Sequence, residues 1–240
     1  MIILDRASPN HDARPDGARV DMLVLHYTGM RTAQEAIDRL CDPAAKVSAH
    51  YVIDEDGIVW RLVAEERRAW HAGASFWQGS ENVNGISIGI EIVNPGHEWG
   101  YRRFPEAQMA ALETLGRGLL ERHAIPGDRV VGHADVAPLR KQDPGELFGW
   151  PRLARAGIGL WPTDPAPPPG DIAGAQAMLA AIGYRVPRAG LLDDEMRQVL
   201  IAFQRRFRPS RVDGALDRET AARIASVERA VVALRGRRGR

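Results

Sequence analysis

Apolar positions in this chain change period several times, and each change marks an element. Met22-Leu23-Val24-Leu25 is a continuous apolar run, the pattern of a strand covered on both faces, and His26-Tyr27-Thr28-Gly29 closes it. Residues 49–53 and 58–62 read as two further strands joined through Asp54-Glu55-Asp56-Gly57, where Asp-Gly signals a hairpin turn. In the strand at 86–93, alternation puts Ile86, Ile88, Ile90 and Ile92 on one face and Ser87, Gly89, Glu91 and Val93 on the other. Residues 129–132 form another short strand. Helical spacing occupies the gaps. Thr32 is an N-cap with Glu35 three positions on, and Ala36, Ile37 and Leu40 share one face of a helix over 33–40. Met109, Leu112, Leu115 and Leu119 line a helix over 105–123 that starts at Pro105, and Trp150 opens a last short helix. The sum is an α/β unit: a mixed β-sheet flanked by helices, without a strict βαβ rhythm.

The remaining stretches of the first 161 residues carry turn and loop signals. Residues 9–19 read as an irregular lead-in. Residues 65–84, rich in aromatic residues and glycine, read as a long ordered binding loop. Residues 132–145 hold His133, Lys141 and Asp143, and Pro138 and Pro144 forbid a continuous helix, so an irregular surface loop is expected.

Beyond 161 the pattern changes. Five prolines in residues 161–170 predict a polyproline spacer, about 30 Å long if extended. Three helical patterns follow, over 172–182, over 194–207 and from the N-cap Asp217 onward. The expected division is a domain at 1–161, a linker at 162–171, a small three-helix domain at 172–234, and a disordered basic tail at 235–240.

Charge supports the division. Residues 1–162 carry 18 Lys+Arg and 22 Asp+Glu, net −4, and residues 163–240 carry 14 and 9, net +5. The overall net charge of +1 names no polyanionic partner, and four tail arginines without a wider basic surface do not make a nucleic-acid arm. The single Cys41 excludes an intrachain disulfide framework and a cysteine-rich metal site. No run is long enough for a membrane span. The N-terminus has no basic region followed by an apolar stretch, which favours the cytoplasm, with the periplasm or cell envelope as the alternative.

The candidate chemistry lies at strand ends. His26 closes the first strand, His133 follows a later one, and Asp143 lies on the loop beyond. Brought to one sheet edge, two histidines and a carboxylate make a catalytic Zn2+ site with one open position; left apart, they are ordinary polar residues. Glu91 has two readings as well, a general base facing a cleft or a paired structural carboxylate. Lys141 is either an oxyanion-stabilising cation or a solvated surface lysine.

Six blocks occur in order: His26-Tyr27-Thr28, Ser48-Ala49-His50-Tyr51, Ala69-Trp70-His71-Ala72-Gly73, Asn84 through Glu91, Gly132-His133, and Lys141-Gln142-Asp143-Pro144-Gly145. Over residues 20–150 the chain resembles the zinc-dependent N-acetylmuramoyl-L-alanine amidases of the amidase-2 type, with the AmiD- and AmpD-like bacterial enzymes nearest in its Glu91–Gly96 segment. The resemblance implies the fold shared with T7 lysozyme and the peptidoglycan-recognition proteins. It implies His26, His133 and Asp143 as zinc ligands, Glu91 as catalytic glutamate and Lys141 as transition-state lysine. The substrate implied is the amide between the lactyl group of N-acetylmuramic acid and L-alanine, in peptidoglycan or in anhydro-muropeptides. His50, Trp70, His71 and Asn84 are expected around the substrate, while His11, His97 and His123 are expected to be ordinary structural residues. A non-catalytic peptidoglycan receptor on the same fold is the alternative; such proteins lose a zinc ligand, and this chain keeps all three. Residues 172–234 resemble a three-helix peptidoglycan-binding domain through Gln176–Leu179, Ala202–Phe207 and Val212–Asp217, with Gly190-Leu191-Leu192-Asp193 replacing one Asp-Gly turn. Such a domain would tether the enzyme to polymeric wall.

Overall fold

The structure, a computed structural model, describes residues 1–187 and 189–238. The apolar run predicted at 22–25 becomes β3 (Met22–Tyr27), and its first five residues are buried. It runs parallel to β7 (Ser87–Ile92) on one side and β8 (Val130–Gly132) on the other. The hairpin of β4 (Tyr51–Ile53) and β5 (Val59–Arg61) is antiparallel, and β4 runs parallel to β7. With β1 (Ile3–Asp5) beside β5, the mixed six-stranded sheet has the order β1-β5-β4-β7-β3-β8. A separate ribbon pairs β2 (His11–Ala13) with β6 (Arg67–Ala69). β1 and β2 lie in the N-terminal segment, and the 9–19 stretch expected to be irregular therefore contains a strand. The long 65–84 loop is partly regular too, with β6 and the turn of helix α2 (Val83–Ile86). These strands are three residues long and their partners lie about 56 residues away, so no local periodicity marks them.

The two faces of the sheet are covered differently. On one, Leu23, Leu25, Ile88, Ile90 and Ile92 pack with Met109, Leu112, Leu115 and Leu119 of α4 (Glu106–His123) and with Leu153 of α6 (Trp150–Arg155). On the other, α1 (Ala33–Cys41) brings Ile37 and Leu40 to Val52 and Val93. Thr32 caps α1 as predicted, its hydroxyl accepting from Glu35 N–H at 3.1 Å. The opposite end of the same face is covered by the C-terminal unit, α7 (Ile172–Ile182), α8 (Asp194–Phe207) and α9 (Arg218–Arg238). Met22, Val24 and Val131 belong to one apolar cluster with Leu179, Leu200 and Phe203. The short α3 (Gly96–Trp99) and α5 (His133–Val136) follow β7 and β8.

That shared core corrects the expected spacer. The proline-rich segment folds back along α9: Pro162 O accepts from Arg223 at 2.8 Å, Asp164 O accepts from Ser226 at 2.6 Å, and Trp161 stacks on Phe207. The disordered tail is corrected as well. α9 continues to Arg238 because Arg235 and Arg238 pair with Asp128, whose side chain is fully buried; residues 239–240 lie outside the described residues. Within the C-terminal unit the altered turn keeps its clamp. Gln176 accepts from Gly190 N–H and donates to Leu191 O, as Gln204 accepts from Asp213 and Gly214 N–H and donates to Ala215 O. Among the described residues no helix is long and apolar enough to cross a membrane.

Candidate active site

The parallel register of β3 and β7 sets His26 directly beside Glu91, and both side chains emerge on the face shared with Val24 and Gly89. Leu25 pairs with Gly132 of β8, so His133 follows one step further along at the same carboxyl edge. That edge is where open α/β sheets place ligands. α1 covers this face on one side and the C-terminal helices on the other, leaving between them a cleft of about 370 Å³ lined by Tyr27, Trp70, His71, Glu91, His133, Lys141 and Asp143.

Residues 132–145 were expected to form an exposed loop; the stretch is instead largely buried. His133 and Asp143 are 4% and 6% exposed. One helical turn, α5, follows Gly132, and Ala134 N–H donates to Asp143 O at 2.9 Å, tying the two ends of the segment together. The loop is covered because α8 packs over it, an event of tertiary structure that the prolines do not encode.

Three atoms converge in the cleft. His26 Nδ1 lies 2.9 Å from His133 Nδ1, and each lies 3.1 Å from Asp143 Oδ2. The outer ring nitrogens assign the protons. Ser87 Oγ donates to Val83 O and accepts from His71 Nε2; His71 Nδ1 then accepts from His26 Nε2 at 3.1 Å. His133 Nε2 donates to Ala72 O at 3.1 Å. Both Nδ1 atoms are thereby left bare, facing each other and a carboxylate oxygen. Lone pairs this close repel unless a cation sits among them. Ligands about 2.0–2.2 Å from a tetrahedral zinc stand about 3.3–3.6 Å apart, somewhat wider than the 2.9–3.1 Å seen, and a His/His/Asp donor set suits that ion. Outer hydrogen bonds of this kind fix ring orientation in metal sites.

The electrostatics separate the carboxylates. Burial pushes the His26 imidazole down to about 4, with the neighbouring His133 acting the same way, so the ring is neutral at pH 7. Burial works to raise the Asp143 carboxyl, but protonated His133 and His26 outweigh it and hold it well below the ordinary range; with both Nδ1 atoms bare, a cation among the three atoms has to supply that positive charge. Glu91 moves oppositely. Burial and then the Asp143 charge lift its carboxyl well above the ordinary range, with Lys141 drawing it partly back. Among the described residues Glu91 Oε2 is buried without a hydrogen-bond partner, so no pairing seen there accounts for its burial.

The expected substrate residues divide. Trp70 and His71 line the cleft. His50 does not: it is fully buried, its Nδ1 accepts from Gly89 N–H at 2.9 Å and its Nε2 donates to Arg67 O at 3.1 Å. It is a strut between strands, and burial holds it neutral, down at about 3. Asn84 is also a strut, its Oδ1 accepting from His71 and Ala72 N–H at 3.2 and 2.8 Å, which sets the loop that presents His71. His97 and His123 hydrogen-bond to Glu146 and Glu65, and His11 lies in β2.

A model of the N-acetylmuramoyl-L-alanine amidase family matches residues 16–146, more than half of the sequence, and a model of a peptidoglycan binding domain matches residues 169–224. The chain belongs to the N-acetylmuramoyl-L-alanine amidase family. N-acetylmuramoyl-L-alanine amidase AmiD of Escherichia coli (strain K12) is 38% identical over 226 residues, covering 85% of this chain and 80% of that protein. A solved complex of the E. coli amidase AmiD with the substrate anhydro-N-acetylmuramic acid-L-Ala-D-gamma-Glu-L-Lys superposes with a TM-score of 0.77 at 36% identity, covering 90% of this chain and 92% of the other. AmpDh3 from Pseudomonas aeruginosa, in complex with anhydromuramic pentapeptide, gives 0.80 at 36% identity, covering 90% and 94%.

Three features of this amidase lie outside the residues singled out from sequence, and one of them has a local signal. Arg14, from the supposed lead-in, donates to the carbonyls of Glu65, Asn84, Gly85 and Ser87 and so pins both ends of the loop that carries Trp70 and His71. Nothing local marks it. Arg39 and Arg140 join Lys141 on the cleft wall, each reading in sequence as an ordinary surface cation. Asp135 accepts from Gly132 N–H at 2.8 Å, and an acid three positions after a strand-ending glycine is a legible capping signal.

Proposed function

We propose that this amidase hydrolyses the amide between the lactyl group of N-acetylmuramic acid and L-alanine of the stem peptide, with His26, His133 and Asp143 holding one zinc ion. The observation that carries the reading is the trio of bare donor atoms within 3.1 Å of one another beside an unpartnered Glu91 oxygen. A zinc ion with three protein ligands polarises a carbonyl and acidifies water. Glu91 takes the proton of the attacking water, which its raised proton affinity favours, and delivers it to the departing amide nitrogen. Water adds to the lactyl carbonyl carbon, the C–N bond breaks, and the products are the lactyl carboxylate and a free L-alanine amine. Lys141, on the cleft wall, would stabilise the oxygen on which negative charge develops.

The cleft also supports a substrate class. Arg39, Arg140 and Lys141 lie along its wall, where an acidic stem peptide finds cationic partners, and Trp70 offers an indole for packing. The C-terminal domain would hold the chain on glycan. Mass spectrometry of intact sacculi and of soluble anhydro-muropeptides after incubation tests the activity and ranks the substrates, and fractionation of native cells assigns the compartment. The expected result is release of free stem peptide by the wild type and loss of both zinc and activity in His26→Ala. Peptide release at the wild-type rate by zinc-free protein would overturn the reading.

A further inference from the structure

The C-terminal unit touches the catalytic loop at both of its ends. Asp135 lies two residues after His133 and is 2% exposed. Its Oδ2 accepts from Gly132 N–H and from Arg206 Nη1 of α8, each at 2.8 Å, and its Oδ1 accepts from the Tyr184 hydroxyl. The same guanidinium donates through Nη2 to Val130 O at 2.9 Å and lies 4.1 Å over the Trp150 ring. One side chain of the C-terminal domain therefore bridges β8 and the turn after it, spanning the backbone from which His133 projects. The neighbouring Arg205 reaches the other end. Its Nη2 donates to Gln142 Oε1 at 3.3 Å, between Lys141 and Asp143, and its Nε stands 3.9 Å from Glu146.

We infer that α8 is a positioning element of the metal site, with Arg206 and Arg205 holding the two ends of the loop that presents His133 and Asp143. The inference rests on the reading of His26, His133 and Asp143 as metal ligands. A wall anchor needs only a tether. A buried Arg–Asp pair is a poor source of net stability, because both charges lose their hydration, but it fixes one geometry closely. The two bare Nδ1 atoms and Asp143 Oδ2 must stay within about 3.6 Å of one another for a common cation, and Arg206 and Arg205 brace the segments that carry two of the three. The domain is thus part of the catalytic centre as well as a match to glycan-binding domains.

The test uses full-length protein. Zinc affinity is measured by chelator competition, and the visible spectrum of the cobalt-substituted protein reports ligand geometry independently of activity. The double variant Arg206→Met/Asp135→Asn removes the pair without stranding a charge, and Arg205→Met loosens the Gln142 end. Outer partners of metal ligands are worth about 10- to 100-fold in affinity. The expected result is a zinc affinity weakened by that range in the double variant, a smaller loss in Arg205→Met, and a shifted cobalt spectrum, with cooperative melting retained by the chelated proteins. If the double variant does not fold, Arg205→Met and Tyr184→Phe carry the same readouts. Wild-type zinc affinity and cobalt spectrum in the folded variants would overturn the inference. His26→Ala separates the two readings: loss of zinc there supports the metal site by itself, and undiminished zinc binding there overturns the site and the positioning role together.

Discussion

Replacing Glu91 by glutamine should push activity and stability in opposite directions. The side chain keeps its shape and loses its charge. As general base, a carboxylate in this place contributes about 10²- to 10⁴-fold, so kcat should fall by that factor, about 3–5 kcal/mol in barrier, with KM changed only a few-fold. Stability should rise. Among the described residues Glu91 Oε2 has no partner, and burial followed by the Asp143 charge raises the carboxyl's proton affinity above its unfolded value. The protonated form is therefore the one the fold favours. Its contribution is complete below the unfolded pKa and is lost as pH rises through the folded one. The wild type bears more of the cost of a buried charge at pH 8 than at pH 4, where the neutral acid and the amide are nearly equivalent. Removing that charge is worth about 1–2 kcal/mol, or about 3–6 °C in a chain of this size. Thermal melts of chelated protein at pH 4 and pH 8, beside steady-state kinetics of the zinc-loaded enzyme, test both halves. A kcat within about three-fold of wild type, or a melting temperature for the variant below that of wild type at pH 8, would refute the reasoning.

Gly89→Ala should lower both stability and zinc affinity, because a Cβ there would stand 2.4 Å from the His71 ring that orients His26; overpacking of this kind costs about 1–3 kcal/mol, measured by denaturant unfolding. Burial works to raise the Glu65 carboxyl, but Arg122, Tyr51 and His123 outweigh it and hold it at about 2. Glu65→Gln should therefore cost about 1–2 kcal/mol at pH 7 after allowance for solvent screening, and the gap between variant and wild type should close as pH falls from the unfolded value toward 2. Arg235→Met with Arg238→Met strands the buried Asp128 carboxylate and should cost about 2–3 kcal/mol in a thermal melt; a disordered tail would show no change.

Much of the fold was legible because its signals are local. The apolar run at 22–25, the parity of 87–93, the Asp56-Gly57 turn, the Thr32 cap and the helical stripes each follow from neighbours a few residues apart, whereas Ile86, expected on the strand face of Ile88, ends α2 and packs with the cluster on the other face. The same strand parity put Glu91 on the face away from the isoleucines, and two strand ends supplied His26 and His133. Signals that depend on distant partners were silent. β2 and β6 are strands only because they meet each other, and Arg14 is structural only because four carbonyls from a remote loop surround it.

By itself the sequence determined the chemical kinds present, two histidines, two carboxylates and a lysine at strand ends or on one loop, and the two helical and sheet-forming parts of the chain. Only the tertiary structure decided that these groups meet. The register of β3 against β7 sets His26 beside Glu91, hydrogen bonds through His71, Ser87 and Ala72 leave the Nδ1 atoms bare, and burial raises Glu91 while the histidines beside Asp143 outweigh the same effect there. It decided as well that the proline-rich segment turns back and that α8 closes over the loop at 132–145. The physical reason is the same in each case: proton affinity, ring orientation and burial depend on what surrounds a side chain, and the surroundings here come from segments tens of residues away.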